Sequence, residues 1–383
     1  MSAQYTPFSQ LKDARQQIIS LGEKAPSSQA YKHTLIDRLR TQVSFDAACC
    51  TSIDPHTLLS TGAFTESGVD GIHYKLLEYE YLRNDVMKYD QLVRDGQSIA
   101  TLNGATGGHL IRSARYRDVL QPAGFGDELR VPLMYKGSCW GFLTLFRLHT
   151  EPVFSEEEQQ LLEALAPSIA YHLRQASVGL SPDSGITMEN DMEPGVLVLS
   201  GKLEPISSNP TADRWLKLLR QQEGIDENSL PAPVRAVCFR ALSTALPLGG
   251  QIGGELGRPL SNDRRVASPA KLCIPAADAG TPWVTLRATL LQSRQSKDEK
   301  QLAVWFEPAK ASEMLPLMAE MFAWSERERQ IVRLIVQGFS TRELASALHI
   351  SAYTVQDHLK AIFLKTGVSS RRELVWKVYS RFN

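Results

Sequence analysis

Near the C-terminus the tetrad Ser-x-x-Glu occurs three times, as Ser325-Glu326-Arg327-Glu328, Ser340-Thr341-Arg342-Glu343 and Ser370-Arg371-Arg372-Glu373. Each reads as a capping box, in which the serine hydroxyl accepts from a free N–H of the first helical turn and the glutamate reaches back to the serine N–H. Gly338 and Gly367 predict the ends of the first and third helices, because a left-handed terminal residue costs glycine least. Another start falls at Ser351, so this part of the chain is confined to four short helices. That third helix has Thr354 where the others have Glu. A helix N-terminus offers unpaired N–H groups and a partial positive charge, and a carboxylate there would repel an anion.

At 100° per residue Val355, Leu359, Ile362 and Phe363 occupy about a third of the third helix and are its expected core. The opposite arc carries Tyr353, Asp357, Lys360, Ala361 and Leu364, with Thr354 and Gln356 at its margins. The short turn from His349 to Ser351 makes this a helix-turn-helix whose second helix is shaped to enter a major groove. Residues 312–383 hold ten Lys/Arg against seven Asp/Glu, whereas the whole chain balances at 42 against 42, so the basic excess lies in this part.

The segments from Ser325 to Leu334, Gly338 to Ala345, Ile350 to Lys360 and Gly367 to Val375 resemble LuxR-type DNA-binding domains. The resemblance implies double-stranded DNA as partner, an inverted-repeat target and a homodimer, with RNA polymerase a further candidate partner. It implies DNA contacts at Ser351, Thr354, Gln356, Asp357, His358 and Lys360, with Arg371 and Arg372 near the backbone. Many family members place Lys where this chain has Gln356, followed here by Asp357. Gln can pair bidentately with adenine and Asp can accept from the amino group of cytosine. Affinity then leans on Lys360, Lys365, Arg371 and Arg372 as phosphate contacts. The competing readings are an Asp357 ion pair with Lys360 or Lys365, and a structural His358. Leu374, Val375 and Val378 form a stripe on the fourth helix that is either internal core or, as in the family, a dimer contact. A sigma-factor-like domain shares the helix-turn-helix pattern but would need upstream helices for promoter melting.

At 383 residues the chain has room for two to three domains. The expected division is 1–176, a linker at 177–191, then 192–311 and 312–383, with a second short junction at 308–312. In the first part Leu35, Leu39 and Val43 precede a strand-like run from Phe45 to Cys50. Two β-rich runs, Glu128 to Met134 and Cys139 to Leu148, flank the turn Tyr135-Lys136-Gly137-Ser138. A capping box at Ser155–Glu158 opens a helix striped by Leu161, Leu162, Leu165, Ile169 and Leu173, which is either a dimer seam or core. Phe45 to Thr51, Ala105-Thr106-Gly107-Gly108, Asp127 to Arg130, Cys139 to Leu143 and Pro152 to Ser155 together resemble a GAF domain over about 30–176. The resemblance implies an α+β fold with a pocket between an antiparallel sheet and its covering helices. Candidate pocket residues are Cys49, Tyr81 and Trp140, the effector is a small molecule or a partner protein, and no cofactor is specified. Gly195 to Leu199, Asn209-x-x-Ala212-x-x-Trp215-Leu216, Trp283 to Leu291 and Leu302 to Phe306 are similar to an α+β PAS-like domain, interrupted by a Gly/Pro-rich stretch from Pro247 to Pro282. The alternative is an α+β linker domain that binds no small molecule.

No catalytic or metal-binding pattern is found: neither a phosphate loop, H-E-x-x-H nor G-x-S-x-G occurs, and the eight histidines are scattered. Gly104 to His109 reads as a tight turn rather than a phosphate loop. Five cysteines without C-x-x-C spacing fit reduced thiols, and strand alternation puts Cys49 and Cys50 on opposite faces. No apolar run approaches the roughly 20 residues of a membrane span, and the N-terminus has no secretory pattern, so the chain is expected in the cytoplasm. The expectation is therefore a multidomain DNA-binding regulator with GAF-like, PAS-like and all-α four-helix LuxR-type parts. The alternatives are a constitutive DNA-binding scaffold and an enzyme with its site in 1–176.

Overall fold

The computed structural model describes residues 7–178, 193–244, 270–275, 283–291 and 300–379. Helices α1 (Pro7–Lys24) and α2 (Ser28–Arg40) precede strands β1 (Ala47–Ile53) and β2 (Ser60–Thr65). After α3 (Ser67–Tyr81), α4 (Tyr89–Arg94), β3 (Ala100–Thr101) and α5 (Leu102–Thr106), the hairpin β4 (Phe125–Tyr135) and β5 (Ser138–Leu148) leads into α6 (Glu156–Val178). The five strands form one antiparallel sheet in the order β2-β1-β5-β4-β3. Its hairpin turns through Lys136 and Gly137, both at positive φ, a turn whose twist matches that of the strands it joins. Leu162, Leu165, Ile169 and Leu173 of α6 are buried in one cluster with Leu129, Leu133, Leu143 and Leu145 of the sheet. The stripe on α6 is thus internal core rather than a free seam. The box that starts α6 is complete, Glu158 N donating to Ser155 Oγ and Ser155 N to Glu158 Oε2.

A second antiparallel sheet is built from β6 (Gly195–Ser200), β7 (Pro205–Ser208), β8 (Lys271–Ile274), β9 (Val284–Leu291) and β10 (Gln301–Pro308). Its order, β7-β6-β10-β9-β8, repeats that of the first sheet strand for strand. Between β7 and β8 come α7 (Pro210–Glu223) and α8 (Ala232–Thr244). Asn209 Oδ1 accepts from Ala212 N and Val196 N, so one side chain caps α7 and ties it to β6. Pro210 sits in the first turn and Gly224, at φ 65°, ends the helix. Trp215, Leu216 and Leu219 of α7 and Phe239 of α8 fill the face of the sheet. Helix α8 and strands β7 and β8 are additions to the expected elements. Residues 179–191 of the expected linker, and 247–269 and 276–282 of the Gly/Pro-rich stretch, lie outside the described residues. Helix α6 runs to Val178, two residues beyond the expected boundary at 176.

Two residues separate β10 from α9 (Ala311–Met321), and the junction expected at 308–312 is a fixed joint: Ala309 is buried and its N–H donates to Trp283 O at 2.7 Å. Then follow α10 (Glu326–Val336), α11 (Thr341–Ala347), α12 (Ala352–Thr366) and α13 (Arg371–Tyr379). Their core, with Ile331, Ile335, Leu344, Val355, Leu359 and Ile362, continues through Met314, Met318 and Met321 of α9 into the face of the first sheet that α6 covers. Leu374 and Val378 belong to this internal core and Val375 packs at its edge, so the stripe of the fourth helix is spent within the chain. What α13 presents to solvent is Trp376, 63% exposed. The boxes at Ser325 and Ser340 form in full. At the fourth, Glu373 N donates to Ser370 Oγ, but the Glu373 carboxylate is taken by the N–H and hydroxyl of Ser369, one residue earlier than expected.

Candidate nucleic-acid interface and sensor cavity

The helix-turn-helix consists of α11, a turn in which His349 takes φ 53°, and α12. Ser351 Oγ accepts from Thr354 N at 3.0 Å and lies 2.8 Å from Thr354 Oγ1, and the first turn of α12 contains no acid. Glu328 and Glu343 occupy the corresponding place in α10 and α11, where each accepts from the N–H of its cap serine. The start of α12 therefore keeps its positive end free of a carboxylate, the arrangement that suits phosphate. Val355, Leu359 and Ile362 are buried as expected, while Phe363 is half-buried at the margin.

The outward face carries Tyr353, Gln356, Asp357, Lys360 and Leu364, all exposed. Lys360 Nζ lies 3.2 Å from Asp357 Oδ1. With the two side chains 73% and 50% exposed, this is a weak, solvent-screened pair that a competing base or phosphate can replace. Thr354 and His358 are half-buried at the edges of the face, and Arg372 is exposed. Two expected phosphate contacts are engaged inside the domain. Lys365 Nζ donates to Ala323 O at 3.0 Å and to Glu328 Oε2 at 2.6 Å, and Arg371 donates to Phe339 O. Beside Lys365 and the Ser325 cap, the Glu328 carboxyl is held below its ordinary range against the opposing effect of burial.

The first sheet encloses a cavity of about 80 Å³ between β1, β2 and β5 and the helix α3. Of the three candidate pocket residues, Cys49 and Tyr81 line it; Trp140 borders a separate space of about 50 Å³ instead. Leu133 pairs with Gly141 and Met134 with Cys139, so β5 carries one extra residue at Trp140. This bulge turns the indole to the face covered by α6, where Arg174 lies over it at 5.9 Å, while Phe142, Thr144 and Phe146 remain on the cavity side. Cys50, on the same face as Trp140, belongs to the α6 cluster, and burial pushes its thiol up to about 12. The two adjacent cysteines thus point to opposite faces, and all five are free thiols. Gly104 to His109 is the end of the one-turn helix α5 and its cap, with Gly107 and Gly108 at positive φ.

Several residues of the cavity wall were not anticipated. Glu128, fully buried, sits between Arg115 at 2.8 Å and Arg130 at 2.9 Å, and Arg130 also reaches Glu80 at 2.6 Å. The two guanidinium groups hold the Glu128 carboxyl below its ordinary range although burial pushes the other way. Tyr89 donates to Leu143 O at 2.9 Å and its ring stacks on Phe142 at 3.9 Å. His73 is buried and its Nδ1 lies 3.1 Å from Arg235 Nη1 of α8. A guanidinium only donates, so Nδ1 accepts and the neutral ring carries its proton on Nε2, 4.0 Å from Cys49 Sγ. Burial, and secondarily Arg235, push His73 down to about 3. The run Asp127-Glu128-Leu129-Arg130, charged residues inside an apolar strand, is the one sequence signal of this network. Arg235 had none, because its position follows only from how α8 packs.

Helix α9 connects these parts. At its N-terminus Glu313 accepts from Lys271 and Arg287, each at 2.6 Å, and from Thr285 at 2.7 Å, all on the second sheet, which pulls its carboxyl down to about 2. At the other end Arg174 of α6 donates to Glu320 O and Met321 O, and Ser138 of β5 to Glu320 Oε2 at 2.6 Å. A cation at a helix C-terminus complements its dipole. Among the described residues no group of three or more His, Cys, Asp and Glu is placed to hold a metal ion, and no helix is long and apolar enough to cross a membrane.

Residues 323–378 match the family model of bacterial regulatory proteins of the luxR family, and residues 33–173 that of the GAF domain. The response regulator protein VraR of Staphylococcus aureus is 38% identical over 74 residues, 18% of this chain and 35% of VraR. An HTH-type transcriptional regulator of Mycobacterium tuberculosis is 44% identical over 48 residues, 12% of this chain and 5% of that protein. The chain thus spans about a third or less of the length of these relatives. Among solved structures, the GAF domain from a phosphoenolpyruvate-protein phosphotransferase of Coxiella burnetii is similar at 18% identity and a TM-score of 0.32, over 44% of this chain and 95% of that one. The VqmA dimer of Vibrio cholerae is similar at 13% identity and a TM-score of 0.19, over 50% and 84%. The chain carries a GAF domain over 33–173 and a luxR-family regulatory domain over 323–378.

Proposed function

We propose that the chain is a sequence-specific transcriptional regulator that binds double-stranded DNA as a homodimer and answers to a small molecule or partner protein sensed by the GAF domain. The observation that carries this reading is α12: a helix within the luxR-family segment with an acid-free first turn and an exposed outer face. In this reading Gln356 pairs with adenine and Asp357 accepts from cytosine. Lys360, Arg372 and the start of α12 at Ser351 hold phosphates, with Thr354 and His358 at the groove edge. Lys365 and Arg371 act by fixing α12 and α13 to their neighbours. The dimer contact moves from Leu374 and Val378 to the exposed Trp376. RNA polymerase is the candidate recipient of the regulatory output, and the protein works in the cytoplasm by binding rather than catalysis.

We take the second sheet, within 192–311, as a PAS-like domain; its strand order, the same as that of the GAF sheet, supports this. The parts on either side are then 1–176 and 312–383. Signal passes from the GAF and PAS-like domains through α9, which both hold by ion pairs or capping bonds.

The test is selection of bound sequences from random duplex DNA by the full-length protein, repeated with Gln356→Ala. The expected result is a palindromic motif in which the variant loses preference at one base of each half-site, a change of about 1–3 kcal/mol. No enrichment even at low salt, where phosphate contacts are strongest, overturns the reading. Enrichment that no deletion within 1–176 alters indicates a constitutive DNA-binding scaffold instead.

A further inference from the structure

The GAF cavity shares two wall residues, Ala63 and His73, with a cleft of about 510 Å³ between α2, β2 and α3 on one side and the α7–α8 connection on the other. Arg235 lies in the wall of this cleft. The one hydrogen bond of its guanidinium among the described residues goes to a neutral imidazole, His73 Nδ1, and its Nε is buried without a partner. None of the described carboxylates forms an ion pair with it; Asp70 of α3, in the same cleft, acts on it only at longer range. Glu223, the nearest acid in effect, spends both oxygens on Ala232 N, at 2.9 and 3.1 Å. Asp226 is likewise taken up by Asn228 and Ser229. Arg130 in the cavity wall, and Arg115 behind it, are by contrast paired with Glu128 and Glu80.

A guanidinium offers five donors in a planar fork, and a carboxylate is the partner whose geometry satisfies two of them at once. Beyond His73 the cavity wall is apolar at Ile53, Val69, Leu76, Phe142 and Phe146, its charged members Glu80, Glu128 and Arg130 being paired with one another, and its about 80 Å³ is well below the roughly 300 Å³ of a drug-sized pocket. We infer that the sensor cavity takes a small monocarboxylic acid with an apolar body, whose carboxylate is bound by Arg235 in exchange for His73. The inference rests on the reading of the GAF domain as the input of a DNA-binding regulator, and it supplies the chemistry of that input. It also makes the ligand a bridge between domains. Arg235 belongs to α8, whose Ala232 and Ala236 close the cavity and whose Phe239 stacks on Tyr81 at 5.9 Å.

The test uses the full-length protein with propionate and butyrate as probes, small enough for the cavity, against propanol and butyramide as uncharged counterparts, by calorimetric titration. The expected result is that the acids bind about tenfold to a hundredfold more tightly than the uncharged probes, the range of a charge-assisted hydrogen bond. In Arg235→Met the acids fall to the level of the uncharged probes, and Ala236→Phe, which fills the cavity, removes binding of all four. Arg235→Lys retains the charge but not the fork, and is expected to lie between wild type and Arg235→Met even if the methionine variant packs poorly. Equal affinity for acids and uncharged probes, acid binding unchanged in both Arg235 variants, or no binding of any probe overturns the inference. Selection of duplex DNA by the same samples separates this failure from failure of the functional reading, since a chain that selects a palindrome but ignores the acids refutes only the ligand class.

Discussion

Both sheets order their strands alike, yet the first keeps a cavity under its helices, whereas among the described residues the second buries a continuous apolar cluster there. On the second, Leu197, Leu199, Leu302, Val304 and Phe306 meet Trp215, Leu219 and Phe239, and large apolar groups interlock across the gap. On the first, Cys49, Thr51, Ala63 and Thr144 are set among Leu76, Phe142 and Phe146, and these shorter side chains leave the space open. Strand order therefore sets where a pocket can be, and the volume of the side chains pointing inward decides whether one exists. A second difference follows from the first. The hollow sheet holds buried charges, Glu128 among them, whereas the filled one is apolar on its inner face.

The largest expected effect strikes that second difference. Glu128→Gln leaves Arg115 and Arg130 with their central charge removed, and breaking one partner of a buried ion pair costs about 3–5 kcal/mol. Denaturant unfolding of the full-length variant reads this directly. A loss below about 1 kcal/mol would mean that water reaches the network and that the wall is not buried as described.

Next comes a matched pair of truncations. Leu199→Ala in the filled sheet removes a fully buried side chain and is expected to cost about 2–5 kcal/mol. Cys49→Ala removes an atom that borders a space already present, so little packing is lost and the expected cost is below about 1 kcal/mol. Equal costs at the two positions would erase the contrast between hollow and filled.

The C-terminal helices and the first sheet's hairpin were legible in the sequence, and what was not has identifiable causes. The capping serines, Gly338 and Gly367 located the C-terminal helices because caps act over a single turn and depend on nothing distant. The Tyr135–Ser138 turn and the position of Cys49 were legible for the same reason. That Trp140 lies on the face opposite Cys49 was not legible, because a bulge is a property of two strands and the sequence of one shows no break in alternation. Helix α8 left no signature at all. Its residues are apolar on nearly every side, since it is buried between α3 and β9, and a helix without a polar stripe has no periodicity to detect. Arg235, and with it the link between cavity and second domain, was hidden for that reason. At the reading helix the sequence placed Val355, Leu359 and Ile362 inward, but it could not show that Lys365 would be drawn 37 positions back to Glu328.

A smaller effect concerns pH. His73 is pushed down from 6.5 to about 3, so below about pH 6.5 the unfolded chain binds a proton there that the folded chain refuses. The contribution is fully present above pH 6.5 and is lost as pH falls toward 3, at up to about 1.4 kcal/mol per pH unit. His172 shifts in the same direction and adds a parallel slope. His73→Gln should therefore flatten, not abolish, the decline in stability between pH 6.5 and 5, with unfolding free energies measured at both ends. An unchanged slope would place His73 in contact with solvent and open the cavity at that wall.

The smallest expected effect on stability lies where nothing is packed at all. Asp357→Ala on α12 breaks an exposed ion pair with Lys360 and should change unfolding free energy by less than about 0.5 kcal/mol. Its consequence is expected in selectivity instead, as a lost preference for cytosine at one position of each half-site, read by comparing bound sequences before and after the substitution. A stability loss near that of Leu199→Ala, with base preference intact, would make Asp357 part of the scaffold and move the reading of DNA to Gln356 alone. The expected outcome extends the comparison of the two sheets to its limit: side chains that fill space hold the molecule together, and those left with space around them are the ones available to a ligand.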